Sequence, residues 1–489
     1  MKTKRTLAML LCICTAFLTL TACSSGDSGS TVTTAPQADD TSAQNTAEAE
    51  VNYLEKLGTL DLKGAEMRFA AHHGTSNRQN FPGDSEDGEP VNDAMYKRNL
   101  EVETMYNCKF VNTATDAPAA LKDLTLNAVL AGDDTFDIIF ADMNSTAKNL
   151  MLNGALVCYD DIPHVDLSQQ WWNKYNSTDL ALGGKIYFPT GVISPMYFKA
   201  AYGMMFNKRL ADSLGTGDIY GTVYDGSWTI DKMASMMKDA SSDINGDGKM
   251  DLSDRYALVY DEVAGFAFYI GTGLKMVDFD KDGMPYLVMG SDKSVSTIDK
   301  LRSIVGDKST CLRGEDYEKN AEFNVFAEGR ALFAGQTLVR VSEYRDMEDD
   351  FGLIPMPKLN ETQDEYYSYA QPWSGTSVAI PVTNTKIDAT GMVVEAMAYL
   401  SDDYIRTAMY EVTYKAKLAR DEHSEKMLDI ITETASFDLN VIFSWGSSAN
   451  ILRDNVMGNK ENFASEFAAV EEAANTQLAQ LKETLNSLK

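Results

Sequence analysis

Residues 66–71 (Glu-Met-Arg-Phe-Ala-Ala) and 136–141 (Phe-Asp-Ile-Ile-Phe-Ala) are short apolar, strand-like runs, and what lies between them decides the fold. From Asp93 to Tyr106 the residues have helical character, Cys108 to Asn112 returns to a strand, and Ala119 to Ala131 is helical again. Strand, helix, strand, helix, strand argues for a parallel α/β sheet, because parallel neighbours need a crossover between them. Sheets of this class take ligands at the carboxyl ends of their strands. His72, His73 and Gly74 follow the first strand, and Asp142, Asn144 and Ser145 follow the third, so both groups are placed at that edge.

Working outward, the chain from about residue 60 to 489 is long enough for two lobes rather than one core. At its far end Phe463, Phe467, Val470, Ala474, Leu478, Leu481, Leu485 and Leu488 recur every three or four residues, which predicts one amphipathic closing helix packed on a lobe.

Toward the other end, Lys2, Lys4 and Arg5 precede an apolar run from Leu7 to Leu20, closed by Leu20-Thr21-Ala22-Cys23. This is the layout of an export signal. Its 14 apolar residues fall short of the roughly 20 needed to span a bilayer. The Leu-Thr-Ala-Cys order resembles the bacterial lipobox, so residues 1–22 are read as a signal peptide cut before a lipidated Cys23. Two acyl chains there would anchor the chain stably. Ser24 to Glu50 contains no aromatic residue, Lys or Arg and reads as a flexible leash within a linker over 23–59. A coil of its 27 residues has an end-to-end distance of roughly 30 Å.

Loss of Lys2, Lys4 and Arg5 takes the formal charge from −29 to −32, which argues against nucleic acid as a partner. No basic patch is available to grip anionic lipid, so membrane attachment is expected through Cys23 alone. With Cys12 and Cys14 removed and Cys23 lipidated, Cys108, Cys158 and Cys311 remain; three scattered cysteines make no disulfide framework.

The sharpest chemical motif is Asp243-Ile-Asn245-Gly-Asp247-Gly248-Lys249-Met-Asp251-Leu-Ser-Asp254. Asp243, Asn245 and Asp247 stand at positions one, three and five of a calcium loop, Gly248 permits the turn, Lys249 offers its carbonyl, and Asp251 acts through water. Asp254 replaces the usual Glu at position twelve, and its shorter arm weakens the site. A helix from about Thr229 to Ser241 leads in and a strand from Tyr256 to Tyr260 leads out, which suits a structural Ca2+ clip. A second acidic run, Asp278-Phe-Asp280-Lys-Asp282-Gly283, has Tyr286 and Met289 where later ligands belong and reads as a hairpin turn.

Catalytic signatures are missing: there is no Gly-x-Ser-x-Gly elbow, no His-Glu-x-x-His helix and no Gly-rich phosphate loop. Apart from the adjacent His72 and His73, the histidines show no metal spacing. No local pattern nominates a glycosidase carboxylate pair. The 5 Trp and 23 Tyr instead suggest faces on which sugar rings stack. Trp228 opens a helix and reads as core. Trp171 and Trp172 are adjacent, so only one faces any given surface, while Trp373 and Trp445 lie in Gly- and Ser-rich, loop-like settings.

Taken in order, several segments resemble the extracellular solute-binding proteins of ABC importers, in particular the carbohydrate-type, maltose-binding-like lipoproteins. They are Asn92-Asp-Ala-Met-Tyr-Lys-Arg98-Asn99, Ala131-Gly-Asp-Asp-Thr-Phe-Asp137, Phe206-Asn207-Lys208, Gly226-Ser-Trp228-Thr229 and the calcium-like loop. Phe326-Ala-Glu-Gly329-Arg-Ala-Leu-Phe333, Phe351-Gly-Leu-Ile-Pro355-Met-Pro357-Lys358, Ala379-Ile-Pro381 and Arg420-Asp421-Glu-His-Ser424-Glu-Lys-Met427-Leu428 follow. The resemblance implies a type II fold of two hinged α/β lobes that close on a ligand in the cleft between them. On that plan residues 60–195 and 375–418 form one lobe, and 196–374 with 419–489 the other.

It also implies a monomeric capture protein that performs no chemistry and hands a small-molecule solute, an oligosaccharide, to an ABC permease. Trp373, Trp445 and Trp171 or Trp172 would stack on the sugar, with polar contacts from His73, Asp142, Asn144 and Arg340. Maltose-binding relatives carry a stacking Trp after the segment that looks like Phe326–Phe333; here Gln336, Thr337, Val339 and Arg340 stand instead. That departure weighs against malto-oligosaccharides, and Gln336 and Arg340 either bond a different sugar or serve packing. A peptide or anionic sugar on the same scaffold, a surface glycosidase or lyase, and a sensory lipoprotein without a permease are the alternatives.

Overall fold

A computed structural model describes residues 53–72, 80–317, 319–415 and 422–488. The expected signal peptide, Cys23, the leash and His73 lie outside the described residues.

The alternating segment forms a parallel sheet. Strand Ala65–His72 is central, with Ala65 opposite Cys108 and His72 opposite Thr115 on one side, and Phe69 opposite Ile138 on the other. Thr376–Ala379 adds an antiparallel edge to Ile138–Asp142, and the order is 376–379, 138–142, 65–72, 108–115. Met67, Phe69, Ala70 and Ala71 are all fully buried, as expected of a strand covered on both faces. Helix Pro90–Tyr106 begins with proline at its first turn and Glu89 accepting a hydrogen bond from the Asn92 amide, and it stops where Asn107 turns left-handed. It packs on the long helix Ile387–Lys415.

A second sheet of five strands runs in the order 351–354, 202–207, 331–337, 256–260, 311–313. Its last three are mutually parallel, while Tyr202–Asn207 is antiparallel to both of its neighbours. The chain crosses from the first sheet to the second around Ala201 and returns around Ala370, and these two residues form a β-bridge. Ser368–Tyr369 also pairs with Ala435–Ser436, which gathers the crossover into a small sheet. The helix Glu422–Glu433 packs on strand Phe351–Ile354 of the second sheet. Two mixed, largely buried sheets with separate helical layers, joined by crossing segments, make the two-lobe α/β architecture expected from the sequence.

Several local expectations shift by a few residues. The third strand starts at Ile138 rather than Phe136, because the Asp137 carboxylate is committed to the backbone amide and guanidinium of Arg68. The helix after Trp228 has Thr229 as its cap and ends at Met237, short of Ser241, and Asp239 beyond it adopts φ +62. Val277–Phe279 and Pro285–Leu287 form the expected hairpin, with Asp280 accepting from the amides of Asp282 and Met284. The closing helix runs Phe463–Ser487 and buries Phe463, Phe467, Ala474, Leu481 and Leu485 against the second lobe. Among the described residues no helix is long and apolar enough to cross a membrane.

Candidate functional site

The carboxyl ends of three parallel strands of the second sheet define the site. Tyr256–Tyr260 delivers Asp261 and Glu262, Ala331–Thr337 ends in Gln336 and Thr337, and Glu315 follows Cys311–Arg313. With Glu322, Lys319 and Arg340 they line a pocket of about 380 Å³, and Gln371, on the segment returning to the first lobe, closes one wall. The location is the one the fold predicts, since strand ends leave backbone groups and short loops pointing at whatever lies beyond the sheet.

The pocket is polar and rich in carboxylates. Asp261 accepts a hydrogen bond from the Tyr202 hydroxyl at 3.0 Å and from the Val263 amide at 3.2 Å. Its enclosure among Tyr202 and the strand ends pushes its pKa up to about 7. Burial also raises Glu322, whose Oε1 accepts from Gln336 Nε2 at 3.4 Å. Glu262 is raised chiefly by its contact with the neighbouring carboxyl of Glu315. Arg340 donates to Asn320 at 3.1 Å, approaches Glu343 at 3.4 Å and lies 5.0 Å over the Phe323 ring. Gln336 and Arg340, two expected contact residues, are therefore both at the pocket.

Trp373 stands on the connection from this pocket to the first sheet. It is 39 % exposed, an unusual state for an indole. The turn beneath it is tied by the Ser374 hydroxyl and the Gly375 amide, which bond the side chain and backbone of Gln371. Pro372 accepts from the Met143 amide, so Trp373 is held beside the carboxyl end of strand Ile138–Asp142. The neighbouring Asn144 is half-buried. Asp142 is committed elsewhere: its carboxylate caps the following turn, taking the Ser145 amide at 2.7 Å and the Thr146 hydroxyl at 2.5 Å.

The other three tryptophans named as stacking candidates sit apart from this pocket. Trp171 and Trp172 are 4 % and 3 % exposed, and each donates its indole N–H to an oxygen of Glu395 at 3.0 Å. They fill the first lobe around a buried carboxylate, an arrangement that adjacent position alone does not announce. Trp445 is buried in the second lobe and stacks on Phe443 at 5.1 Å, beside a separate cavity of about 450 Å³ near Lys148 and Gln477. Trp228 is fully buried and donates to the Pro355 carbonyl, as its core reading requires.

The acidic loop closes on itself. Asp243 accepts from the amides of Gly246 and Gly248, Asn245 from Asp247, and Asp247 from Lys249. Gly246 and Gly248 sit at φ +74 and +81, which only glycine takes without strain. Asp254 is fully buried, and the amides of Asp251 and Ile244 hold its carboxyl below the usual range. Among the described residues no group of three or more His, Cys, Asp or Glu forms a metal cluster. The set expected here also draws on the Asn245 amide and the Lys249 carbonyl. Cys108, Cys158 and Cys311 are buried free thiols.

Asp261, Glu262, Glu322 and Thr337 were not anticipated from the sequence as site residues. Asp261-Glu262 had a legible signal, two acids directly after a strand already expected at Tyr256–Tyr260. Glu322 had none, since only the packing of helix Ala321–Ala327 on that strand turns it to the same place.

No protein-family model and no curated protein matches the chain. Solved structures do. The maltose/maltodextrin-binding domain MalE from Bdellovibrio bacteriovorus, bound to maltotriose, superposes with a TM-score of 0.53 at 15 % identity, covering 85 % of this chain and all of that one. A cyclo/maltodextrin-binding protein complexed with maltotetraose gives 0.53 at 13 % identity, covering 86 % and 98 %. The GacH receptor of Streptomyces glaucescens, solved unliganded and with acarbose, gives 0.50 at 13 % identity, covering 87 % and 98 %. At these identities the likeness establishes the fold, that of the two-lobe binding proteins, over nearly the whole described chain.

Proposed function

We propose that this chain is an exported lipoprotein, anchored through Cys23, that captures an oligosaccharide between its lobes and presents it to an ABC permease as a monomer without altering it. The observation that carries this reading is the pocket itself. A polar cavity at the strand ends is lined in part by Gln371, and two residues further along the chain Trp373 carries an exposed indole, so that hydrogen-bonding groups and a flat apolar face of the kind that suits a pyranose lie on one short segment. The shared fold with proteins solved around maltotriose, maltotetraose and acarbose supports it. Polar contacts would come from Gln336, Arg340 and Asn144, and a calcium ion held by the loop Asp243–Asp254 would brace the second lobe.

The test is the unfolding temperature of the chain from Ser24 onward across a panel of oligosaccharides. A ligand at 100 times its dissociation constant adds about 2.7 kcal/mol to the native state, a readily measured rise. A sugar-specific rise with the sugar recovered intact supports capture; no rise with any sugar refutes it. A second reading, a surface glycosidase, draws on one observation: Asp261, Glu262 and Glu322 place acids of raised pKa in one pocket, as a general acid requires. Released shorter sugars in the same panel would favour it.

A further inference from the structure

Building on the oligosaccharide reading, we propose that the pocket selects a sugar carrying positive charge, an amino-oligosaccharide whose ammonium group lies among Asp261, Glu262 and Glu322. Four acids line the cavity against two bases. Of these charges, Arg340 is already engaged by Asn320, Glu343 and the Phe323 ring, and Glu315 pairs with Arg313 at 2.5 Å. Asp261, Glu262 and Glu322 make no ion pair among the described residues. Glu322 is 6 % exposed, so its charge is held largely out of water.

A second observation points to a ligand at the same place. Thr337 is 3 % exposed and lines the cavity, yet its side chain makes no hydrogen bond among the described residues. Gln336, 2 % exposed, has only the 3.4 Å contact with Glu322. Its four carboxylates against two basic side chains give the cavity an excess of acceptors. An ionised carboxylate only accepts, with about four lone-pair sites, whereas a neutral sugar hydroxyl donates one proton and brings lone pairs of its own. An ammonium brings three donors, no acceptor and a full charge, and so satisfies what this pocket has in surplus. Burial raises Asp261 and Glu322, the contact with Glu315 raises Glu262, and the like charges around them add to that cost, which a cation placed among the carboxylates would relieve.

The experiment is calorimetric titration of the chain from Ser24 onward with three tetramers of one β-1,4 backbone: glucosamine, N-acetylglucosamine and glucose. Spermidine serves as a cation that is no sugar. The glucosamine tetramer is expected to bind at least roughly tenfold tighter than the other two, and to weaken as salt is added, because the preference is Coulombic. Glu322→Gln and the solvent-accessible Glu262→Gln should each reduce the ratio of glucosamine-tetramer to glucose-tetramer affinity about tenfold, on the same Coulombic ground. The exposed position keeps the test sound if the buried variant does not fold. Equal or tighter binding of a neutral tetramer overturns the charge preference and leaves sugar capture standing. Spermidine binding with no sugar bound overturns the carbohydrate reading and this inference with it, as does binding of nothing in the panel.

Discussion

Removing the Glu395 carboxylate should unfold much of the first lobe's advantage while leaving ligand contacts untouched. Glu395 is fully buried and accepts three hydrogen bonds: Trp171 Nε1 at 3.0 Å, Trp172 Nε1 at 3.0 Å and the Tyr53 hydroxyl at 2.9 Å. In Glu395→Ala two indole donors remain buried with no acceptor, at about 1–3 kcal/mol each, and the half-buried Tyr53 adds up to about 1 kcal/mol. Relief of the carboxylate's own burial offsets part of this, so the expected loss is about 3–5 kcal/mol against a total of about 5–15 kcal/mol. Glu395→Gln keeps one acceptor oxygen but aims an amide donor at a donor, and should fall between Ala and wild type. Tyr53→Phe should cost about 1 kcal/mol.

Burial holds the Glu395 pKa above its ordinary value in the folded chain. A folded acid with a raised pKa binds its proton more tightly than the unfolded one. Its favourable contribution is therefore greatest at low pH and declines as pH rises through the folded pKa, so wild type should lose ground to Glu395→Gln over that range. Urea denaturation of each variant, with an unchanged m-value as the check on two-state comparison, reads these numbers. A loss below about 1 kcal/mol for Glu395→Ala would refute the reasoning, since it would mean the indoles are not held by this carboxylate.

Trp373→Ala, at a 39 % exposed position, should leave the unfolding temperature nearly unchanged and weaken oligosaccharide binding by about 1–2 kcal/mol, read by titration. Trp171→Phe should do the reverse. Calcium should raise the unfolding temperature and chelation lower it, with Asp243→Ala abolishing the difference; an identical melt with and without calcium sinks the clip. Burial pushes the thiols of Cys108 and Cys311 up to about 11 and about 12, so thiol reagents should label them only after denaturation, as mass spectrometry would show.

What the sequence by itself determined was whatever is encoded locally. The strand and helix runs from Ala65 to Asp142 differ from expectation by only a few residues, because apolar periodicity and Pro or Asn at helix ends act over one or two turns. Trp228 was legible as core from its place at a helix start, and the closing helix from its stripe. Tertiary structure alone decided which polar and aromatic groups share a site. Trp171 and Trp172 look available in the sequence until Glu395, more than two hundred residues on, claims both indoles. Asp142 sits where a ligand residue belongs, yet three residues of turn are enough to take its carboxylate as a cap. Asp261, Glu322, Thr337 and Gln371 come from four separate segments and meet only because parallel strands end on one edge and a crossover segment passes beside it. Hydrophobic period is a property of neighbours along the chain and survives in the sequence, whereas convergence of charge depends on packing between distant segments, which no local pattern records.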